Sequence, residues 1–305
     1  MDQASEYPSR PRSLTAEHQA GMWRSQLPAG LQDAVSAALR EAARSLVVPS
    51  LNNPGGAEVS RKAGGSVVTQ IDREVELQLS EVVMALLPNS LVIGEEKVAA
   101  DATLLTRIDE EWVWLIDPVD GTANFVEGKG SIAMMIALLY RGKAVVAWIL
   151  DPVKDALLTT NKSEHALLQL KSTTTPAASN LRGAAWTRYY DNELRSAIER
   201  RFLSLGDVSP GSKCTGAEYL AVIQGRQDFV LFWRSMPWDH AAGILLLQES
   251  GGYAAYLNRD PFRPGAKRLG LLVARSQAVW NQVWTTLIEG VPDPERLLVR
   301  EMNTY

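Results

Sequence analysis

Apolar residues recur along this chain with a period of three to four residues in two stretches, which predicts two amphipathic helices. The first stretch runs from Leu31 to Leu46, and we expect Pro49 to end that helix. The second covers about 70 to 87, and Pro88 follows it directly. Both helices therefore have one face that must pack against the rest of the protein.

A different pattern, of continuous apolar runs bounded by turn residues, predicts strands. Three strands joined by turns at 141–143 and 151–152 are expected between 131 and 160. From about 180 onward, strands alternate with helices. We interpret the chain as a leader at 1–28, predicted to be mobile, an α+β half at 29–165, and an α/β half at 166–305.

Composition narrows the class of protein. The 305 residues carry a formal net charge of −4, which argues against binding nucleic acid through phosphate neutralisation. Cys214 is the only cysteine, so no internal disulfide can form and a reducing compartment is favoured. The start has no apolar signal segment, and no apolar run approaches the roughly 20 residues that a membrane span needs. We expect a soluble, cytoplasmic protein with no membrane partner.

Three apolar runs end in carboxylates. Glu95-Glu96 follows one predicted strand, Asp117 and Asp120 end another, and Asp239 opens an apolar helix. Carboxylates at the end of a buried strand cost free energy unless a cation neutralises them. Strand carboxyl ends and helix N-termini are also where open α/β folds bind ligands. Together the three segments predict a ligand site.

Each segment also has an ordinary structural interpretation. Asp239 could be only a helix N-cap, Asp120-Gly121 only a turn, and Glu95-Glu96 only solvated charge. The sequence leaves these alternatives open for each segment taken singly.

The residue types indicate the chemistry of such a site. Oxygen ligands with only three histidines in the chain suit Mg²⁺, Ca²⁺ or Mn²⁺ better than Zn²⁺. Gly121 would let a phosphate oxygen approach the backbone, and a helix starting there would present N–H groups to that anion. A metal beside a phosphate seat predicts phosphoryl chemistry.

The motifs GEE at 94–96, DPVDGT at 117–122 and WDHAAG at 238–243, with ESGG following, resemble the signature set of the inositol monophosphatase family of Mg²⁺-dependent phosphatases. The resemblance covers about 62 to 252. It implies an α-β-α-β-α layered sandwich, usually a homodimer, which hydrolyses a phosphomonoester by direct attack of water.

The resemblance also implies roles for individual residues. Two or three Mg²⁺ ions, or Mn²⁺ in their place, would be held by Glu95, Asp117, Asp120, Asp239 and the carbonyl of Val119. Glu95 and Thr122 would take part in catalysis, with the Thr122 hydroxyl orienting the attacking water. Phosphate and substrate would be bound by Asp120, Gly121, Thr122, Gly216 and Asp239.

Three departures from the family pattern bear on catalysis and specificity. The sequence has Ser66 where the family places an aspartate, which we interpret as the loss of the acidic partner of Thr122; Asp72 falls on a helix position instead. Where inositol-specific members have a glutamate that binds sugar hydroxyls, this sequence has Phe232 to Arg234. Phe232 could line the substrate site or pack in the core, and Arg234 could contact the substrate or be a surface charge. The glycine-rich turn expected after the strands is replaced by 159–170.

We therefore predict a Mg²⁺-dependent phosphomonoesterase that acts on a small, inositol monophosphate-like metabolite. The alternatives are histidinol phosphate, a 3′-phosphoadenosine nucleotide or fructose bisphosphate as substrate, or a metal- and phosphate-binding protein with weakened catalysis. Cys214 is expected to shape the pocket rather than act as a nucleophile. His240 is expected to lie behind the ligands or at the surface.

Overall fold

The computed structural model describes residues 23–51, 59–61, 67–160, 180–266 and 269–291. Most of the predicted leader, Ser66, and residues 161–170 of the replaced turn lie outside these ranges. The proposed division into two halves stays a prediction.

The described strands form one small pair and two five-stranded sheets. The pair is β1 (Val59–Arg61) and β2 (Val67–Thr69), which are antiparallel. The first sheet contains, side by side, β3 (Leu91–Gly94), β4 (Trp112–Asp120), β5 (Ala133–Tyr140), β6 (Lys143–Asp151) and β7 (Ala156–Thr159). Strands β5 to β7 confirm the three strands predicted from the apolar runs.

The second sheet has the order β11-β12-β10-β8-β9. Its strands are β8 (Leu181–Ala185), β9 (Gly206–Ser209), β10 (Phe229–Arg234), β11 (Tyr253–Tyr256) and β12 (Leu269–Ala274). Strand β8 is parallel to both β9 and β10, whereas β12 is antiparallel to β10 and β11.

The helices are α1 (Leu31–Ala42), α2 (Val48–Leu51), α3 (Gln70–Leu86), α4 (Glu95–Ala100), α5 (Thr122–Glu127), α6 (Asn192–Glu199), α7 (Thr215–Ile223), α8 (Pro237–Glu249) and α9 (Gln277–Leu287). Helix α3 confirms the second predicted helix. No helix within the described ranges is both long and apolar enough to cross a bilayer.

The prediction that Pro49 ends the first helix was wrong. A π-helical turn at Ala43–Val47 follows α1 without a break, and the chain stays helical to Leu51. In this turn the hydrogen bonds shift to the i→i−5 pattern, as shown by the Val48 N–H, which donates to the carbonyl of Ala43, and Pro49 follows directly.

Alternation along the strands produces five layers. In β4, Val113 and Leu115 face a core shared with α7 and α8, while Trp114 and Ile116 face a core shared with α1 and α3. In β10, Val230 joins that shared central core, whereas Leu231 faces α9. The order α1/α3, first sheet, α7/α8, second sheet, α6/α9 confirms the α-β-α-β-α sandwich.

The register of the first sheet brings two acidic segments to one edge. Strands β3 and β4 are parallel, with Gly94 paired to Ile116. The next residue of each chain segment, Glu95 and Asp117, therefore emerges side by side at the same end of the sheet. This is the edge at which open α/β sheets bind ligands.

Candidate active site

Asp117 lies at the centre of the acidic edge. Its side chain is 2% exposed, and Oδ1 has no hydrogen-bond partner among the described residues. Burial raises the pKa of Asp117 well above its ordinary value, and the negative charges of Glu95, Asp120, Asp239 and Asp72 raise it further. The structure therefore brings together the four carboxylates that the sequence motifs predicted, with Asp72 as a fifth.

Asp120 is held by bonds that come from the other half of the chain. Its Oδ2 accepts hydrogen bonds from the backbone N–H of Gly216 at 2.5 Å and from Sγ of Cys214 at 3.1 Å. Burial raises the pKa of Asp120 to about 6, and these two donors oppose that rise. Asp120 is therefore a buried, hydrogen-bonded carboxylate and not only part of a surface turn.

Gly121 occupies a tight turn between β4 and α5 that only glycine fits without strain. It is the N-cap of α5 with φ +87°, a conformation that glycine adopts without steric cost. A Cβ there would lie 2.8 Å from the carbonyl oxygen of Ser131 and 3.1 Å from Cβ of Cys214. The Asn124 amide donates to the carbonyls of Ser131 and Ser212, both at 2.8 Å, and so joins the loops around this turn.

Thr122 has an acidic partner, so the interpretation that it had lost one was wrong. Its Oγ1 lies 3.2 Å from Oδ1 of Asp72 and 2.9 Å from the carbonyl oxygen of Val119. The other oxygen of Asp72 accepts from N and Oγ1 of Thr69 in a capping box at the start of α3. The helix position that seemed to exclude Asp72 is the reason it reaches Thr122, because the helix N-terminus points at the site.

A signal for Asp72 was present in the sequence. Thr69 followed three residues later by an acid is the pattern of a capping box, which places that acid at the first turn of a helix. The contact itself could not be predicted from the sequence, because Asp72 and Thr122 are 50 positions apart.

Asp239 enters the site from α8. The interpretation of Asp239 as an N-cap was wrong, since Met236 occupies that position and Pro237 begins the helix. Asp239 lies in the first turn and is 8% exposed. A guanidinium nitrogen of Arg234 is 3.9 Å from its Oδ2, with the Arg234 side chain 30% exposed. Arg234 is therefore a cation at the site rather than a remote surface charge.

Phe232 belongs to the core. It is 2% exposed and contacts the rings of Trp186, Tyr219 and His240. His240 is also buried, with Nδ1 2.9 Å from the Tyr219 hydroxyl and Nε2 3.0 Å from the carbonyl oxygen of Arg234. Burial lowers the pKa of His240 to about 3, so it is neutral at physiological pH and lies behind the carboxylates.

The donor set fits a divalent cation. A buried carboxylate oxygen without a partner, among several other carboxylates, is a local excess of negative charge that a hard cation would neutralise. Within the described residues, no three acidic, histidine or cysteine side chains lie close enough together to hold a metal ion as they stand. A cation at this site would therefore require these carboxylates to move toward it.

Comparison with known proteins decides the family. The profile of the inositol monophosphatase family matches residues 27–288. The chain belongs to this family. It is 30% identical to the inositol-1-monophosphatase of Bacillus subtilis over 227 residues, which are 72% of this chain and 79% of that protein. It is 29% identical to the Nus factor SuhB of Escherichia coli K12 over 218 residues, 69% of this chain and 79% of the relative.

Solved structures of family members share the fold. The extragenic suppressor protein SuhB from Bartonella henselae superposes with a TM-score of 0.72 at 20% identity, covering 86% of this chain and 100% of that one. An IMPase/NADP phosphatase complexed with NADP and Ca²⁺ gives a TM-score of 0.70 at 16% identity, covering 86% and 96%.

Proposed function

We propose that this member of the inositol monophosphatase family is a Mg²⁺-dependent phosphomonoesterase that acts on a small phosphorylated metabolite. The observation that carries the proposal is Asp117, a buried carboxylate with an unpartnered oxygen among other carboxylates, placed next to the glycine turn at Gly121. A site of this composition needs a cation, and the backbone N–H groups at Gly121 and Thr122, which could bind an anion, follow Asp120 directly.

The proposed metal ligands are Glu95, Asp117, Asp120, Asp239 and the carbonyl of Val119. Bound Mg²⁺ supplies Lewis-acid activation of water and neutralises charge on the phosphoryl group. The protein's part is to hold these oxygens in place: the parallel register of β3 and β4 does so for Glu95 and Asp117, and the donors at Cys214 and Gly216 do so for Asp120.

Thr122 and Asp72 are proposed to orient the attacking water. When the Thr122 hydroxyl donates to Oδ1 of Asp72, its lone pairs face outward and can accept a hydrogen bond from water. Asp72 then acts through Thr122 as the final acceptor of the water proton. The contact between Thr122 and Asp72 supports an active enzyme over the alternative of a metal- and phosphate-binding protein with weakened catalysis.

The phosphate seat is proposed at the start of α5. The backbone N–H groups of Gly121 and Thr122 would bind phosphate oxygens, and glycine allows that close approach. Gly216 lies beside this turn, with its N–H bound to Asp120, and is proposed as a further substrate contact.

Two substrate classes are supported by different observations. The B. subtilis relative is named for inositol 1-monophosphate, which favours a phosphorylated polyol. Arg234, 3.9 Å from Asp239, favours instead a substrate with a second negative charge, such as a nucleotide phosphate, and a solved neighbour is named as an IMPase/NADP phosphatase. A homodimer and a cytoplasmic location stay predictions.

The test is phosphate release from inositol monophosphates, histidinol phosphate, fructose bisphosphate, NADP and adenosine nucleotides, with and without Mg²⁺. Asp117→Asn should abolish turnover, since an amide cannot supply the negative charge that the metal needs. Asp207→Asn, which changes an exposed acid on β9, is the matched control and should retain full activity. Equal rates for wild type and Asp117→Asn would refute the proposal.

A further inference from the structure

The proposed metal ligand Glu95 opens a short helix that has no side-chain cap of its own. It is the first residue of α4, a helix of six residues whose N-cap is Gly94, with no side-chain cap from that residue. The first N–H groups of a helix have no partners within the helix. Something outside α4 must satisfy them if the turn that carries Glu95 is to keep one conformation.

Glu76 supplies those partners from α3. Its Oε2 accepts a hydrogen bond from the backbone N–H of Glu96 at 2.7 Å, and its Oε1 accepts one from that of Lys97 at 3.0 Å. The side chain is 3% exposed. One carboxylate thus fixes the two peptide groups that directly follow Glu95, with one oxygen for each N–H.

Gly94 completes this contact. Its backbone is extended, with φ −102° and ψ 160°, so conformation does not require glycine there. A Cβ at Gly94 would instead overlap the Glu76 carboxylate. On the other side, Nζ of Lys97 donates to Oγ of Ser80, one helical turn beyond Glu76, at 3.0 Å. The turn is therefore fastened to α3 from both sides.

The same helix serves two parts of the site. Asp72 and Glu76 are four residues apart on α3 and so lie on one face, one above the other. Asp72 reaches Thr122, whereas Glu76 reaches the turn that follows β3. Burial raises the pKa of Glu76 to about 7, which the N–H groups of Glu96 and Lys97 oppose.

We infer that Glu76 is a positioning residue for the metal site: its carboxylate clamps the turn after β3 so that Glu95 is held ready to bind Mg²⁺. The inference rests on the proposed function, because it takes Glu95 to be a metal ligand. Glu76 does not touch substrate or the reacting atoms. Its effect should therefore appear in metal affinity rather than in the maximal rate.

The experiment compares Glu76→Gln with wild type at pH 8, where the Glu76 carboxylate is ionised. An amide retains one acceptor oxygen and turns an NH₂ group toward the second N–H, so one arm of the clamp is lost. Two quantities are measured: Mn²⁺ affinity by calorimetry without substrate, and the Mg²⁺ concentration that gives half-maximal phosphate release. Both should weaken about tenfold, with kcat at saturating Mg²⁺ within about threefold of wild type.

Glu81→Gln is the matched control. It makes the same charge change on the exposed face of α3 and should leave both metal measurements unchanged. Gly94→Ala reaches the clamp from the other side, since the added methyl displaces the Glu76 carboxylate while keeping its charge. Gly94→Ala should weaken Mn²⁺ binding as Glu76→Gln does. If Glu76→Gln fails to fold, the Mn²⁺ affinity of Gly94→Ala tests whether Glu76 positions Glu95.

The outcomes separate this inference from the proposed function. Wild-type affinity for Mn²⁺ in both Glu76→Gln and Gly94→Ala, whatever their melting temperatures, would overturn the clamp and leave the phosphatase proposal intact. A wild-type chain that neither binds Mn²⁺ nor releases phosphate would overturn both.

Discussion

The two sheets contribute to the candidate site in different ways. The first sheet and α3 bring Glu95, Asp117, Asp120 and the Asp72–Thr122 pair, each in a segment that resembles the family motif. The second half brings Asp239, with Arg234 3.9 Å from it in a stretch where the sequence departs from that motif, and Cys214, which contacts Asp120.

We expect the residues that carry the reaction to differ in kind from the residues that select the substrate. Metal and water binding depend on charges at fixed distances, so few side chains can replace a carboxylate there. The residues that contact the alcohol part of the substrate can differ from one enzyme to another, to suit the shape and charge of each substrate. We therefore expect substitutions of the carboxylates, including Asp239, to reduce the rate for every substrate, and other substitutions in the second half to change the order of substrates.

After the abolished turnover expected for Asp117→Asn, the largest effect is expected from Asp72→Asn. The amide oxygen of asparagine can still accept a hydrogen bond from Thr122 but cannot take up the water proton, so kcat should fall by about 10²- to 10³-fold. Phosphate release at saturating Mg²⁺ measures this, with Mn²⁺ affinity as a second readout that should change little. Asp33→Asn, an exposed first-turn acid of α1, is the control for altered helix-terminal charge. An unchanged kcat would mean that Asp72 only caps α3 and takes no part in the reaction.

Arg234→Ala should act on substrate choice. Losing the guanidinium near Asp239 removes an anchor for a second anionic group, so kcat/KM for nucleotide phosphates should fall about tenfold. The value for an inositol monophosphate should stay within about threefold. Parallel loss for both substrates would mean that Arg234 supports Asp239 rather than the substrate.

His240 should make the second half sensitive to acid. Its pKa is lowered to about 3 in the folded chain, against an ordinary value of 6.5. Below pH 6.5 the unfolded chain takes up a proton that the folded chain does not, so stability falls as the pH falls from about 6.5 toward about 3. The slope from this group should approach about 1.4 kcal/mol per pH unit.

Urea unfolding at several pH values tests this, with His240→Gln expected to lack that part of the slope. Tyr219→Phe removes one hydrogen bond but keeps the buried imidazole, so it should retain the slope. A wild-type slope in His240→Gln would assign the acid sensitivity to other groups.

The smallest effect is expected from Cys214→Ala. A thiol is a weak donor, and the N–H of Gly216 still binds the same oxygen of Asp120. We expect kcat/KM to fall by no more than about threefold, while Cys214→Ser, which keeps a donor, should be close to wild type. A loss of activity above about 100-fold in Cys214→Ala would give the thiol a direct role in the reaction.

Much of the fold followed from local patterns. The three strands between 131 and 160 and the helix at Gln70–Leu86 could be predicted because their apolar spacing is set by backbone geometry. The error at Pro49 arose because a π-helical turn carries the helix on through this proline, and no local rule signals such a turn.

The sequence by itself determined which residue types meet at the site, because carboxylates after buried strands are costly without a cation. Only the tertiary structure decided which groups touch. Thr122 meets Asp72 across 50 residues, and Cys214 meets Asp120 across 94. Such contacts depend on sheet register and on how helices pack against a sheet, and both are set by the whole core rather than by neighbouring residues.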